Sequence, residues 1–255
     1  MRLFDRALTR GSALTDAGRV FLEGAERVEA EMLGVAARLN EREATLAGTV
    51  RIGAPDGLGS AYLASRLGAI AELYPLLRVQ LVPLPRNFSL SEREADIAVM
   101  IGRPAKGRLI ARHLADYSLG FYAAPSYLAA HGEPANVDAL GDHRLVGYVE
   151  DLVYTPELNY AEELVRDWRP RFEVSTAIGQ REVVRAGTAI GLLHDFMAAD
   201  DPRLVPILTE HSALRAYYAV WHENLRSSRK ISAVVALLGD VMQADRHLFV
   251  RQHRT

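Results

Sequence analysis

The sequence predicts an α/β protein in which two small lobes are joined by crossover strands and preceded by a long amphipathic helix. Three observations carry this prediction. After Gly48, short apolar runs alternate with helical segments, the pattern of an open and mostly parallel sheet. The scheme then occurs a second time further along the chain. Before it, from Thr15 to about Leu46, apolar residues recur at heptad spacing with no proline to interrupt them.

The helix comes first in chain order. Thr15 is placed to cap it. Ala25, Met32, Leu39 and Leu46 recur every seven residues, and Phe21, Val28 and Val35 lie four positions before the first three of them. Charges such as Glu23, Arg27, Glu31 and Arg38 occupy the other faces. A helix lying on its own domain would show similar amphipathicity. Little chain precedes this one to provide a core, so the pattern favours a second copy, with Phe21, Ala25, Val28, Met32, Val35 and Leu39 at the dimer seam. The preceding stretch, LFDRALTRGSALTDAG, lies in a locally basic region (Arg2, Arg6, Arg10) and turns at Gly11.

Beyond Gly48, residues 49–55 read as a buried strand and 60–74 as a helix stopped by Pro75. Strands at 78–84 and 95–102 flank a short helix at 89–94. Residues 109–125 read as two closely spaced strands that cross to the second unit. That unit has a short helix at 126–131, strands at 145–149, 171–176 and 189–196, and a helix at 177–186 with Gly187 at its C′ position. Strands at 204–208 and 213–221 follow, the latter crossing back, and 228–250 forms a terminal helix.

Two such lobes leave a cleft, and ligands of open α/β sheets bind beyond the carboxyl ends of strands, near helix N-termini. Pro55, Asp56, Gly57 and Leu58 follow the first strand, Arg86 and Asn87 the second, and Ile101, Gly102 and Arg103 the third. Tyr148, Glu150, Ser175 and His194 join them from the second lobe. Each has a plainer alternative. Asp56 can simply cap the helix that follows it. Arg86, beside Asn87, suits a carboxylate clamp but also a solvated surface. Glu150 can be a loop charge and His194 a packed strand end.

Composition excludes several classes. The 255 residues are 49% hydrophobic and 24% charged, the proportions of a soluble globular protein with a substantial core. A net charge of −2 leaves no general attraction to nucleic acid. No run approaches the roughly 18 apolar residues of a membrane helix, and the N-terminus has no secretory h-region. With no cysteine there is no disulfide, thiolate nucleophile or cysteine metal site, which is compatible with the cytoplasm. The eight histidines fall in no HExxH arrangement, and no GxSxG, GxxxxGK[ST] or GxGxxG motif is present. The expectation is a protein with no catalytic residues, metal or cofactor.

Four segments in order resemble the LysR-type transcriptional regulators: LFDRALTRGSALTDAGRVFL (3–22), GTVRIGAP (48–55), READIAVMIGRP (93–104) and YAAPSYLAAHGEP (122–134). AGTAIGLLHDFMA (186–198) and AVWHENLRSSRKISAVVALL (219–238) extend the likeness over essentially the whole chain. The resemblance implies a remnant of a winged helix-turn-helix at 1–14, a linker and dimerisation helix at 15–47, and a two-lobed, periplasmic-binding-protein-like effector domain at 48–255. Lobe I would span about 48–111 and 220–255, and lobe II about 112–219. It further implies a small effector between the lobes, a homodimer or homotetramer, and promoter DNA as partner of the full-length form. The family's helix-turn-helix precedes the wing and would lie before Met1, leaving Arg6 and Arg10 for phosphate contacts alone, so these 255 residues are expected to bind DNA weakly or not at all. The alternative is a free-standing small-molecule-binding module with no transcriptional role, which a monomeric state would favour.

Overall fold

The structure is a computed structural model that describes residues 3–5, 13–18, 20–22, 24–25, 28, 46–86, 90 and 94–251. At the N-terminal end β1 (Phe4–Asp5) and β2 (Ala13–Leu14) form a small antiparallel pair. Thr15 then accepts the Gly18 N–H on its Oγ1 at 3.0 Å, the capping bond its position predicts. The expected helix at 89–94, apart from Leu90 and Glu94, and three of the six seam residues, Met32, Val35 and Leu39, lie outside the described residues, as do Arg6, Arg10 and Asn87.

Eight strands make one sheet in the order β4-β3-β5-β10-β6-β9-β7-β8. On one flank β3 (Ala47–Ala54) runs parallel to β4 (Leu76–Pro83) and β5 (Ile97–Ile101). On the other, β7 (Leu145–Gly147) runs parallel to β8 (Phe172–Glu173) and β9 (Ile190–His194). Between the flanks lie β6 (Leu109–Ala123) and β10 (Val205–His222), antiparallel to each other and passing through both lobes. Each of them replaces two expected strands. No glycine or proline breaks residues 115–118, so β6 continues without interruption. Between Ile207 and Ser212 the β10 register shifts, and Leu208 takes a φ of 46°, yet pairing with β6 resumes beyond it. Pairing with the uninterrupted β6 thus carries β10 across its irregularity.

Two helices expected as single rods are segmented. The first opens as Asp56–Leu58, widens over Gly59–Leu63, tightens over Ala64–Arg66 and ends as Leu67–Leu73. Leu58 and Leu63 are both buried five positions apart, and a turn with i to i+5 bonding puts them on one face. The terminal helix runs Arg229–Ala244 and restarts as Arg246–Phe249. It breaks at Asp245, whose carboxylate accepts from the Tyr62 hydroxyl at 2.9 Å and Arg66 Nε at 2.8 Å. The strands expected at 145–149 and 171–176 are also shorter, because Tyr148 turns out of the sheet and Thr176 becomes the cap of the Ala177–Arg185 helix. Gly187 follows that helix with φ +70°, as its C′ position requires.

The terminal helix buries Ile231, Val234, Val235, Leu238 and Met242 against β6 and β3, an apolar stripe at helical spacing. Beyond it, Phe249 sits between Tyr62 of the first lobe and Phe196 of the second, at ring separations of 4.6 and 5.1 Å. Here the lobes meet at Asp195, only 2% exposed, which begins the Asp195–Ala198 helix. Its carboxylate accepts from Tyr122 at 2.6 Å, from Arg251 Nη2 at 2.8 Å and from Ser118. The Arg251 N–H donates in turn to Ser118 Oγ at 2.9 Å. Gly120 makes room for this: a Cβ there would lie 2.8 Å from Arg251 Nη2.

Removing one partner of a buried ion pair strands the others. Asp195→Ala should therefore lower unfolding stability by about 3 kcal/mol in urea titrations. A loss within experimental error would show that this junction does not hold the lobes.

Candidate functional site

The two lobes touch across the cleft at the carboxyl end of β3. Asp56 is 8% exposed, and its Oδ2 accepts the Ile178 N–H of the second lobe at 3.2 Å. The backbone of Gly57 and Ala177 also favours the ionised form of this carboxyl. Asp56 therefore lies on the first turn of the nine-residue Ala177–Arg185 helix, where partial positive charge favours an anion. Thr176 Oγ1 completes that N-terminus by accepting the Gly179 N–H at 3.1 Å. Burial raises the Asp56 pKa above 3.8, outweighing the backbone donors that pull it down. The bond across the cleft is a third use of Asp56, beside the ligand contact and the cap on the following helix that the sequence leaves open.

Gly57 backs onto the second lobe so closely that a methyl group there would come within 3.0 Å of the Met197 sulfur and 3.1 Å of Ala177 Cβ. At the end of β5, the Gly102 Cα is covered by the Glu157 side chain. Glu157 is itself bonded to Thr155 through its carboxylate, and its carbonyl accepts from Arg215 Nε at 3.1 Å. These contacts hold the lobes together on the cleft side.

Beside the cleft, the second lobe holds a half-open cavity of about 540 Å³, within the range of small-molecule sites. Tyr148, Tyr154, Tyr160 and Trp168 supply aromatic walls, Gln180 and Leu192 line it between them, and Glu150, Glu162 and Glu173 are exposed at its edge. Behind it runs a column of rings. Tyr160 meets His194 edge-on at 6.4 Å, His194 stacks on Tyr117 at 5.3 Å, and Tyr117 stacks on Tyr217 at 4.1 Å. Burial pushes Tyr148, Tyr154 and Tyr160 well above the ordinary phenol range, and the Asp56 charge adds to that rise.

The candidates read from the sequence therefore separate. Asp56 and Gly57 meet the second lobe directly, after Pro55 has set the turn. Ser175 lies half-buried one residue before the helix cap. Tyr148 and Glu150 line the cavity, and His194 forms the packed column behind it. Leu58 and Ile101 are core residues. Arg103 is exposed, and the Arg86 guanidinium is bonded to Glu94 at 2.8 Å. Tyr154, Tyr160, Trp168 and Ile178 were not legible as site residues. A signal did exist: Tyr148, Tyr154 and Tyr160 recur at six-residue spacing through a segment with no long helix or strand. Among the described residues no group of three or more His, Asp or Glu is placed to hold a metal ion, and no helix is long and apolar enough to cross a membrane.

A family profile described as LysR substrate binding domain matches residues 43–243. The chain belongs to the LysR-type transcriptional regulators. It is 28% identical over 242 residues to the HTH-type transcriptional regulator CrgA of Neisseria meningitidis serogroup C (strain 8013), spanning 91% of this chain and 81% of that protein. Over 151 residues it is 30% identical to the HTH-type transcriptional activator AaeR of Escherichia coli K12, spanning 58% and 48%. The solved CrgA regulatory domain superposes with a TM-score of 0.70 at 26% identity, covering 77% of this chain and 99% of that one. A longer CrgA structure gives 0.68 at 26% identity, covering 95% and 84%. The neighbours are two-lobed regulatory domains, and this chain shares their fold.

Burial alone holds the His194 imidazole down to about 4, against an ordinary 6.5. The unfolded chain takes up a proton there while the folded chain stays neutral, so stability falls as pH drops from 6.5 towards 4. Asp56 acts in the opposite sense at the acid end, since its raised pKa makes the folded state the better proton binder. His194→Phe keeps a ring on Tyr117 and removes only the histidine effect. Between pH 7 and pH 5 the wild type should lose about 2 kcal/mol more than this variant in urea titrations. Parallel curves would mean that His194 titrates normally in the fold.

Proposed function

We propose that this chain is the sensing portion of a ligand-responsive, DNA-binding transcriptional regulator, with a small effector held between its lobes. Its partners are that effector and copies of itself, as a homodimer or homotetramer, with promoter DNA a partner of the full-length form. The observation that carries the reading is the Asp56–Ile178 bond, a polar contact from one lobe to the helix N-terminus of the other. A ligand entering beside it changes the balance of contacts across the cleft, and differential affinity for two lobe arrangements is what allostery requires. The described part of the helix at 15–47 supports self-association. Phe21 and Val28 are 57% and 62% exposed, Ala25 is exposed with them, and all three belong to the heptad seam.

Light scattering on the purified chain should give a dimer or tetramer of the 28.1 kDa protomer. Phe21→Glu with Val28→Glu should shift it to the monomer mass, because charges on a seam oppose pairing. A wild-type protein that is monomeric at tens of micromolar would instead favour the free-standing binding module.

A further inference from the structure

We propose that the cavity beside the cleft takes an organic cation: an ammonium group carried on an aromatic or apolar body. The inference rests on the effector-binding reading above and names the chemical class of the effector. The lining of the 540 Å³ cavity includes three carboxylates, Glu150, Glu162 and Glu173, and no arginine, lysine or histidine. Its walls are the rings of Tyr148, Tyr154, Tyr160 and Trp168, whose negative π-faces attract cations.

Two further observations are independent of that charge count. The N–H groups at the first turn of the Ala177–Arg185 helix are the donors suited to an anion, and the Asp56 carboxylate already bonds to them. An anionic ligand would have to displace an internal anion that is tethered in place. The second observation is Gln180, 3% exposed and lining the cavity. Its amide Nε2 donates to the Val174 carbonyl at 3.1 Å, leaving its carbonyl oxygen to act as an acceptor. An acceptor in the lining suits a donor, which an ammonium supplies and a carboxylate does not. A guanidinium whose charge reaches Tyr160, that of Arg215, is held by Glu163 at 2.5 Å and by the carbonyls of Glu157 and Leu214. It is therefore already compensated.

The test uses three probes with one ring and three charges: benzylammonium, benzyl alcohol and benzoate. They are titrated calorimetrically into the intact chain at neutral pH. Benzylammonium should bind at least about tenfold more tightly than benzyl alcohol, and benzoate should give no heat beyond dilution. Glu162→Gln with Glu173→Gln should weaken benzylammonium by up to about tenfold and leave benzyl alcohol unchanged, since both glutamates are exposed and their loss spares the core. Tyr154→Leu should weaken benzylammonium by on the order of two- to fivefold. Equal or tighter binding of benzyl alcohol or benzoate overturns the cationic class and leaves the effector reading intact. Silence from all three overturns both.

Discussion

The antiparallel ladder between β6 and β10 is the constraint on which the rest depends. Each flank of the sheet is a small parallel set, and parallel sheets are normally covered on both faces. The ladder gives β5 its second neighbour through Tyr217–Val220, and it gives β9 one through Leu119–Tyr122. The two lobes therefore share a backbone. The same ladder carries Ser118 and Tyr122 into the junction, where they meet Asp195 from one lobe and Arg251 from the end of the terminal helix. The Asp56 contact on the cleft side and the Asp195 junction thus act on a common pair of rods.

Strand periodicity was easy to read where burial is two-sided. The runs that became β5 and β9 are nearly all apolar because both faces are covered, whereas β3 buries only Val50 and Ile52–Ala54 and leaves Thr49 and Arg51 exposed. What escaped was continuity. The shift between Ile207 and Ser212 looks in sequence like a loop, since a pairing that resumes after an irregularity is set by the neighbouring strand and not by local propensity. The segmented helices escaped for a related reason. The Asp245 break is imposed by Tyr62 and Arg66, which are close to it only after folding.

Legibility of the site followed the same division. Positions after strand ends were found because topology alone places them near the cleft, and Asp56, Tyr148 and Glu150 came from that rule. The rule also returned Leu58 and Ile101, because it cannot tell which side of the sheet a residue faces. The aromatic walls of the cavity come from an irregular segment, where no periodicity exists to assign a face. Tyr154 and Tyr160 converge with Trp168 only through the tertiary path of residues 148–170.

The path of the chain through its two lobes also sets the order in which they can be completed. The second lobe is an insertion: once β10 reaches about Ser212, its strands β7, β8 and β9 and their partner in β6 have all been made. The first lobe begins earlier and ends later, because β5 lacks a neighbour until Tyr217–Val220 arrive, and its covering helix is Arg229–Ala244. On the ribosome the inner lobe therefore closes while β3, β4 and β5 still wait with an open edge, so the part of the protein made first is finished last.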